Sequence, residues 1–137
     1  MAESELKSPP ASANSKHILV LEDDESIRTA VEKVLIRAGY KVSVAATGRQ
    51  ALQKVQSGCT FDAFLCDIRT PLLSGIDFLR EVRKLGHHAP AIFLSGTPMQ
   101  KDVQELRDLG ITSILVKPAG AKSIVEAVRT ILVLAAA

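Results

Sequence analysis

Five short apolar runs, each followed by a longer amphipathic stretch, account for most of the sequence. The runs cover residues 17–21, 41–45, 63–66, 91–94 and 113–116. Each run is too short for a helix, is rich in β-branched residues or Leu, and ends at polar or turn residues, which together predict β-strands. Most of the runs are continuously apolar rather than alternating, a pattern typical of strands that are buried on both faces.

The stretches between the runs predict five helices. In the first of them, Ile27 and Val31 belong to a set of apolar residues at helical spacing, and Gly39 follows as a C-cap. Thr47 followed by Gln50 predicts a capping box at the start of the second helix. Five strand–helix units in a row predict a parallel sheet with helices on both faces and right-handed crossovers.

The composition fits a single globular domain. The chain has 137 residues, of which 47% are apolar, 23% charged and 4% aromatic, so we expect an aliphatic core. Residues 1–16 are rich in Ser, Ala, Pro and charge and predict a flexible tail, which leaves residues 17–137 as the domain. The apolar end of the fifth helix, residues 131–137, could join the core or form a dimer face, and we favour the core.

Charge, cysteine content and hydropathy exclude several classes of protein. The formal net charge of +2 gives no general reason to expect nucleic acid as a partner. Cys59 and Cys66 are too few for a disulfide scaffold, lack metal-ligand spacing and suit a reducing cytoplasm. No apolar run approaches the roughly 20 residues of a membrane helix, and residues 1–16 lack the apolar core of a signal peptide. We therefore expect a cytoplasmic protein with no membrane partner.

The carboxyl ends of four predicted strands carry residues that suit metal or phosphoryl chemistry. In a parallel sheet of this class, ligands bind at the carboxyl ends of the strands, near the topological switch point. These strand ends therefore predict one shared site. The first strand is followed by Glu22, Asp23 and Asp24, the third by Asp67, the fourth by Ser95 and the fifth by Lys117 and Pro118.

The acidic residues in this set predict a metal site. Glu22, Asp23 and Asp67 would place three carboxylates within a few ångströms of one another. Two unit charges about 4 Å apart repel by roughly 4 kcal/mol at an effective dielectric near 20, so such a cluster requires a cation. Oxygen ligands favour Mg²⁺, and the absence of His and Cys from these strand ends argues against zinc. Asp24 precedes the first helix and is assigned as its N-cap rather than as a metal ligand.

Asp67 and Lys117 together suggest phosphoryl transfer. A carboxylate at the end of a buried strand can attack phosphorus and form an aspartyl phosphate, with Mg²⁺ bridging Asp67 and the incoming oxygens. Lys117 supplies a compact positive charge that would pair with Asp67 before phosphorylation and with a phosphoryl oxygen afterwards. The Ser95 hydroxyl can donate to the phosphoryl group, and Pro118 permits a cis peptide bond after Lys117.

In these residues the chain resembles the receiver domain of bacterial two-component response regulators, of the single-domain chemotaxis type. The segments ILVLEDDE, CDIRTPLLSGIDFL, FLSG and LVKP occur in the order and at the spacing of that family, and the match covers about residues 17–134. The resemblance implies an α/β fold of the flavodoxin-like (βα)5 type. This fold is a three-layer sandwich around a parallel five-stranded sheet of strand order 2-1-3-4-5.

The resemblance also implies roles around the phosphorylation site. Asp67 corresponds to the phosphoacceptor, Asp23 to the direct Mg²⁺ ligand and Glu22 to the acid that holds metal-bound water. The backbone carbonyl of Arg69 would complete the metal site. The phosphoryl donor would be a histidine kinase or a phosphotransfer protein, and the output would be contact with an unidentified protein. In this scheme the domain catalyses only its own phosphorylation and slow dephosphorylation.

Further residues are assigned to the switch and to the adjacent loop by the same resemblance. Ser95 corresponds to the switch hydroxyl and Lys117 to the lysine that pairs with the phosphoryl group. Ile114 occupies a position where the family often has an aromatic residue whose rotamer reports phosphorylation, so we expect that coupling to be weakened or replaced. Pro71 and Gly75 correspond to the loop residues that follow the phosphorylation site.

Other functions compete with this phospho-switch. A receiver-like module that binds partners without phosphorylation would fit Ile114 and Ala119, because the family often has aromatic residues at both positions. A haloacid-dehalogenase-type phosphatase normally has a second acid two residues after the nucleophile, where this chain has Arg69. No Gly-rich dinucleotide motif follows the first strand, which argues against a dinucleotide-binding enzyme.

Neither Arg69 nor Thr97 can orient a hydrolytic water as an acid or amide would, so we expect slow self-hydrolysis of the phosphoryl group. The sequence leaves open whether the domain stands alone or belongs to a longer protein.

Overall fold

The computed structural model describes residues 16–136, in which five strands alternate with five helices. All strands are parallel and lie in the order β2-β1-β3-β4-β5, which confirms the predicted flavodoxin-like (βα)5 topology. The strands are β1 (His17–Leu21), β2 (Lys41–Ala45), β3 (Ala63–Asp67), β4 (Ala91–Ser95) and β5 (Ile114–Val116). The helices are α1 (Glu25–Arg37), α2 (Gly48–Gln56), α3 (Gly75–Lys84), α4 (Gln100–Asp108) and α5 (Ala121–Ala136).

Three strands differ from the prediction at one end. β3 and β4 continue one residue further than predicted, so Asp67 and Ser95 are the last residues of their strands, and β5 begins one residue later. β3 and β4 are buried throughout and β1 is buried after its first residue, as expected for strands covered on both faces. The edge strands β2 and β5 are partly exposed, because each has a neighbouring strand on one side only.

The two faces of the sheet pack into separate cores. Successive side chains of a strand point to opposite faces. Leu19 and Phe64 therefore pack with residues of α2, α3 and α4, whereas the adjacent Val20 and Leu65 pack with α1 and α5. Burial on both faces fixes β1, β3 and β4, whose carboxyl ends carry most of the candidate site.

Side-chain caps fix the starts of three helices, α1, α2 and α3, the last through Ser74, whose hydroxyl accepts from the Asp77 N–H at 3.2 Å. Asp24 accepts a hydrogen bond from the Ile27 N–H at 3.0 Å, as predicted for an N-cap. Thr47 accepts from the Gln50 N–H at 3.1 Å. The predicted capping box is wrong in its second half, because the Gln50 side chain reaches one residue further back and accepts from the Ala46 N–H at 2.9 Å.

Replacing Asp24 by alanine is expected to destabilise the domain by about 1 kcal/mol, since the first turn of α1 loses its cap. Urea unfolding followed by circular dichroism measures this change. Asp24→Ser is the control, because serine can accept the same hydrogen bond and should stay within about 0.5 kcal/mol of the wild type. Equal losses in the two variants would contradict the capping role.

The end of α5 lies at the surface. Ile131 is buried and Leu132 packs partly buried against the core, but Val133 and Leu134 are 62% and 68% exposed, so the prediction that residues 131–137 join the core is wrong from Val133 onward. The buried side of the helix carries Ile124, Val128 and Ile131. Their spacing of three to four residues leaves Val133 and Leu134 on the solvent side.

The predicted flexible tail lies outside the described residues except for Lys16. The Lys16 carbonyl accepts from the Lys41 N–H at 3.0 Å, which extends the pairing of β1 with β2 one residue before the predicted boundary. Within the described chain, no helix has the length and apolar character needed to cross a membrane.

Candidate functional site

The carboxyl ends of the strands bring three carboxylates and one lysine together. Glu22, Asp23 and Asp67 each offer an oxygen atom within 4.8 Å of the others, and we call this trio the acidic site. Lys117 Nζ lies 2.8 Å from Glu22 Oε1 and 2.8 Å from Asp67 Oδ2. The backbone explains this placement, because β3 lies beside β1 and the Lys117 N–H donates to the Ser95 carbonyl at the end of β4.

Burial and charge together favour a cation in the acidic site. Glu22 is fully buried, Asp67 is nearly so, and Asp23 is exposed to solvent. When all groups are ionised, three carboxylates against one ammonium leave a formal charge of −2. Carboxylates this close repel one another strongly in a partly buried site. The exposed Asp23 leaves one side of the acidic site open to solvent.

The pKa values of Glu22 and Lys117 reflect this environment. Burial raises the pKa of Glu22 above its ordinary value, and the nearby Lys117 ammonium and Asp24 N–H offset the effect only in part. Burial alone would lower the pKa of Lys117, but its contacts with Asp67 and Glu22 outweigh burial and raise it. Lys117 is therefore protonated at neutral pH.

The donor set of the acidic site fits Mg²⁺. Mg²⁺ prefers oxygen ligands, takes only one or two carboxylates and keeps several waters. The group contains neither His nor Cys, which would favour zinc. Glu22 Oε1 is buried and, although close to Lys117, accepts no well-aligned hydrogen bond from any described residue. An acceptor of this kind suits the holding of a metal-bound water.

Glu22 also predicts a pH dependence of stability. Because the folded state raises the pKa of Glu22, ionisation of this carboxyl destabilises the fold as the pH rises from the unfolded value through the folded one. Without Mg²⁺, the wild type should therefore lose stability relative to Glu22→Gln as the pH increases from acidic to neutral. Urea unfolding of both proteins across this range tests the sign. A constant difference between them would contradict it.

Ser95, Ile114 and Pro118 lie on the strands and the turn beside the acidic site. Ser95 is buried at the end of β4. Ile114 opens β5, is paired in register with Phe93 and packs half-buried against the core. The Lys117–Pro118 peptide bond is cis, and Pro118 itself is exposed. Ser95 thus lies on the strand between those that carry Asp67 and Lys117.

The loop after β3 contacts the candidate phosphoacceptor directly. The Arg69 N–H donates to Asp67 Oδ1 at 3.2 Å, and the Gly75 N–H donates to the Ile68 carbonyl at 3.0 Å. A Cβ on Gly75 would lie 2.0 Å from the Asp67 carbonyl oxygen, so the approach requires glycine. The role of the Arg69 carbonyl as a metal ligand stays a prediction.

The same loop is attached to the N-terminus of α2. The Gly48 N–H donates to the Pro71 carbonyl at 3.4 Å and the Arg49 N–H to the Leu72 carbonyl at 2.8 Å. These N–H groups have no partner within the helix, and the loop satisfies them. Leu72 and Leu73 adopt φ values of 51° and 94°, which residues other than glycine rarely adopt. The contacts with α2 thus help to hold a strained loop in place.

Sequence reasoning misses two contacts near the acidic site. Arg69 Nη2 lies 2.6 Å from Oδ2 of Asp102, a buried residue in the first turn of α4. Arg28 Nη1 donates to the backbone carbonyls of Glu22 and Asp23 at 3.0 and 3.3 Å. The sequence carries no signal for Asp102, because its pairing depends on how α4 packs beside the loop after β3. For Arg28, the sequence offers only its position in the first turn of α1, six residues after Glu22.

Comparison with known families decides the membership of the chain. The family model for the response regulator receiver domain matches residues 18–129. The chain belongs to this family. Receiver domains are signalling modules of two-component systems rather than classical enzymes.

Curated relatives of this receiver include transcriptional regulators. It is 33% identical over 132 residues to the alkaline phosphatase synthesis transcriptional regulatory protein SphR of Synechococcus elongatus, with 90% of this chain and 51% of that protein covered. It is 34% identical over 112 residues to the transcriptional regulatory protein DltR of Streptococcus agalactiae, with 82% and 50% covered. The chain therefore spans about half the length of the curated relatives it matches.

Solved structures of receivers superpose on this one. The chemotaxis protein CheY4 of Vibrio cholerae matches with a TM-score of 0.80 and 31% identity, covering 85% of this chain and 98% of that one. The receiver domain of sensor histidine kinase PA1611 from Pseudomonas aeruginosa matches with a TM-score of 0.76 and 29% identity, covering 86% and 98%. The latter structure has a magnesium ion coordinated in its active site cleft.

Proposed function

We propose that this receiver accepts a phosphoryl group on Asp67 in a Mg²⁺-dependent reaction and then signals by contact with another protein. The phosphoryl donor is a histidine kinase or a phosphotransfer protein. Phosphoryl transfer and the contact with the output protein both take place in the cytoplasm. The observation that carries the proposal is the position of Lys117 Nζ, 2.8 Å from Asp67 Oδ2 at the edge of the acidic site. The same ammonium is placed to pair with an oxygen of a phosphoryl group on Asp67.

Phosphoryl transfer to Asp67 requires an oriented carboxylate as the nucleophile and a positive counter-charge for the phosphoryl oxygens. An Asp67 oxygen attacks the phosphorus, an O–P bond forms, and the P–N bond of a phosphohistidine breaks, with the imidazole leaving. Lys117 pairs with a phosphoryl oxygen, and the Arg69 N–H orients the Asp67 carboxylate. Mg²⁺, held by Glu22, Asp23, Asp67 and the Arg69 carbonyl, would neutralise charge that the transfer brings together.

The signal passes through the ends of β4 and β5. A phosphoryl group adds negative charge, which draws the Ser95 hydroxyl and the Lys117 ammonium towards it. Ser95 ends β4 and Lys117 directly follows β5, so their movement would shift the neighbouring surface formed by α4, β5 and α5. Because Ile114 is aliphatic, the response does not depend on an aromatic rotamer at that position.

Intact-mass spectrometry after incubation with Mg²⁺ and acetyl phosphate tests the proposal. The wild type is expected to gain one phosphoryl group, whereas Asp67→Asn or a chelator should abolish the adduct. Asp108→Asn is the matched control, since this exposed aspartate lies on α4 away from the acidic site. A folded wild type without an adduct, or an adduct retained in Asp67→Asn, would contradict the assignment.

A receiver-like module that works without phosphorylation is the second candidate function. The absence of aromatic residues at Ile114 and Ala119 favours it, because the usual route of signal output is altered there. Partner binding that is equal for the wild type and Asp67→Asn, with and without acetyl phosphate, would support this candidate. Binding that changes only in the phosphorylated wild type would support the phospho-switch.

The phosphoryl group on Asp67 is expected to persist for longer than seconds in the purified protein. Neither Arg69 nor Thr97 can orient a water for attack on phosphorus as an acid or amide would, and Arg69 is held by Asp102. Loss of the mass adduct with time after removal of acetyl phosphate measures the lifetime. Asp108→Asn should decay at the wild-type rate, and a wild-type half-life of seconds would contradict the prediction.

A further inference from the structure

The Arg69 side chain carries a positive charge and starts beside the acidic site. Its backbone N–H donates to Asp67 Oδ1 at 3.2 Å, so its side chain begins at the edge of the site. A guanidinium binds carboxylates through a planar fork of N–H donors and is charged at every pH of interest. The acidic site has a formal charge of −2 with Lys117 in place. A free guanidinium at this point would therefore compete with Mg²⁺ for Asp23 and Asp67.

Asp102 holds that guanidinium elsewhere. Arg69 Nη2 lies 2.6 Å from Asp102 Oδ2, and the Asp102 side chain is only 9% exposed. Release of the guanidinium would leave the nearly buried Asp102 carboxylate without a counter-charge, which favours the paired position of Arg69. The Arg69 side chain itself is mostly exposed, so among the described residues the ion pair with Asp102 is what fixes its direction.

The surrounding groove shows why this direction matters. Asp23, Arg69 and Asp102 line one groove of about 580 Å³ between the acidic site, α3 and α4. A guanidinium released from Asp102 would have access to Asp23 through this groove. Arg80, another arginine on the groove, is already paired with Asp77 at 3.0 Å and with Glu105 at 2.8 Å.

We propose that Asp102 is a positioning residue that keeps the Arg69 guanidinium out of the acidic site and so leaves the Mg²⁺ position open. This inference rests on the proposed Mg²⁺-dependent function. It assigns Asp102 no contact with the metal or with the phosphoryl group. Its effect is exerted through Arg69, so removing Arg69 should make Asp102 dispensable for Mg²⁺ binding.

Isothermal titration with MgCl₂ of the full chain tests this dependence. Asp102→Asn, which is close to isosteric, is expected to weaken Mg²⁺ binding about tenfold, because the released guanidinium adds competition at close range. The Arg69→Gln/Asp102→Asn double variant should return to within about twofold of the wild type, and Arg69→Gln alone should bind no more weakly than the wild type. Asp108→Asn removes the same charge from α4 at a distance and should change the affinity by less than about twofold.

The outcomes separate this inference from the proposed function. Unchanged affinity in Asp102→Asn, or a double variant as weak as the single one, would overturn the positioning role while Mg²⁺ binding by the wild type stands. A wild type that does not bind Mg²⁺ would overturn both.

An NMR measurement on the wild type tests the position of the Arg69 guanidinium without any substitution. The Arg69 Nε–Hε NMR signal should stay in place when Mg²⁺ is added, while the Asp67 amide signal shifts. A large shift of the Arg69 signal would place the guanidinium in the acidic site and contradict the proposal.

Discussion

Replacing Lys117 by methionine is expected to destabilise the Mg²⁺-free domain by about 3 kcal/mol, at the lower end of the range for breaking a buried ion pair. The lower end applies because the Lys117 side chain is 20% exposed. Methionine keeps most of the apolar stem and removes the ammonium that contacts Glu22 and Asp67. The two buried carboxylates then lack a counter-charge. Urea unfolding at neutral pH measures the loss.

Three further measurements make this prediction specific to charge. Lys84→Met removes a lysine that is paired on the surface with Glu81, and it should cost less than about 0.5 kcal/mol. Mg²⁺ should restore part of the stability of Lys117→Met, because a cation held by the acidic site would bind only the folded state. Acidification should also narrow the deficit, since protonation of Glu22, whose pKa is raised in the folded state, removes its repulsion of the neighbouring carboxylates. A deficit equal to that of Lys84→Met, or one independent of pH, would show that Lys117 does not balance the acidic site.

The residues that meet at the acidic site could be predicted because the sequence pattern limits where they lie. Short apolar runs separated by helical stretches require a parallel sheet, and parallel strands place their carboxyl ends on one edge. Glu22, Asp67 and Lys117 follow such runs, so their proximity does not depend on details of packing. Lys117 has a long side chain, which lets it reach Asp67 from a strand two positions away.

The contacts that tune the site depend on packing that the sequence pattern does not specify. Asp102 is one acidic residue among several on α4, and only the approach of that helix to the loop after β3 selects it as the partner of Arg69. The exposed end of α5 has a similar cause. Leu134 is as apolar as the core residues, but its position on the helix turns it away from the sheet. The local sequence therefore predicts which reactive side chains are present, whereas tertiary packing decides which neighbours hold them in position.

At Gly75, local helix preference and tertiary packing act in opposite directions. Glycine is a poor helix former, so alanine at the first position of α3 would by itself favour the helix by up to about 1 kcal/mol. However, a Cβ at this position would lie 2.0 Å from the Asp67 carbonyl oxygen and 3.2 Å from the Phe93 ring. The obstacle is backbone that cannot rotate away. Gly75→Ala is therefore expected to destabilise the domain by about 3 kcal/mol, as overpacking of a rigid core does.

The matched control for Gly75→Ala is Gly96→Ala, because a Cβ on Gly96 meets no atom within 4 Å and Gly96 does not adopt a positive φ. Its stability should stay within about 0.5 kcal/mol of the wild type, as for most surface substitutions. Urea unfolding of the two variants side by side compares the same chemical change in open and in filled space. If Gly75→Ala proved as stable as Gly96→Ala, the close approach of α3 to Asp67 would be wrong. A large loss confined to Gly75→Ala would show that the start of α3 is packed against the end of β3, so that a shift of either one must move the other.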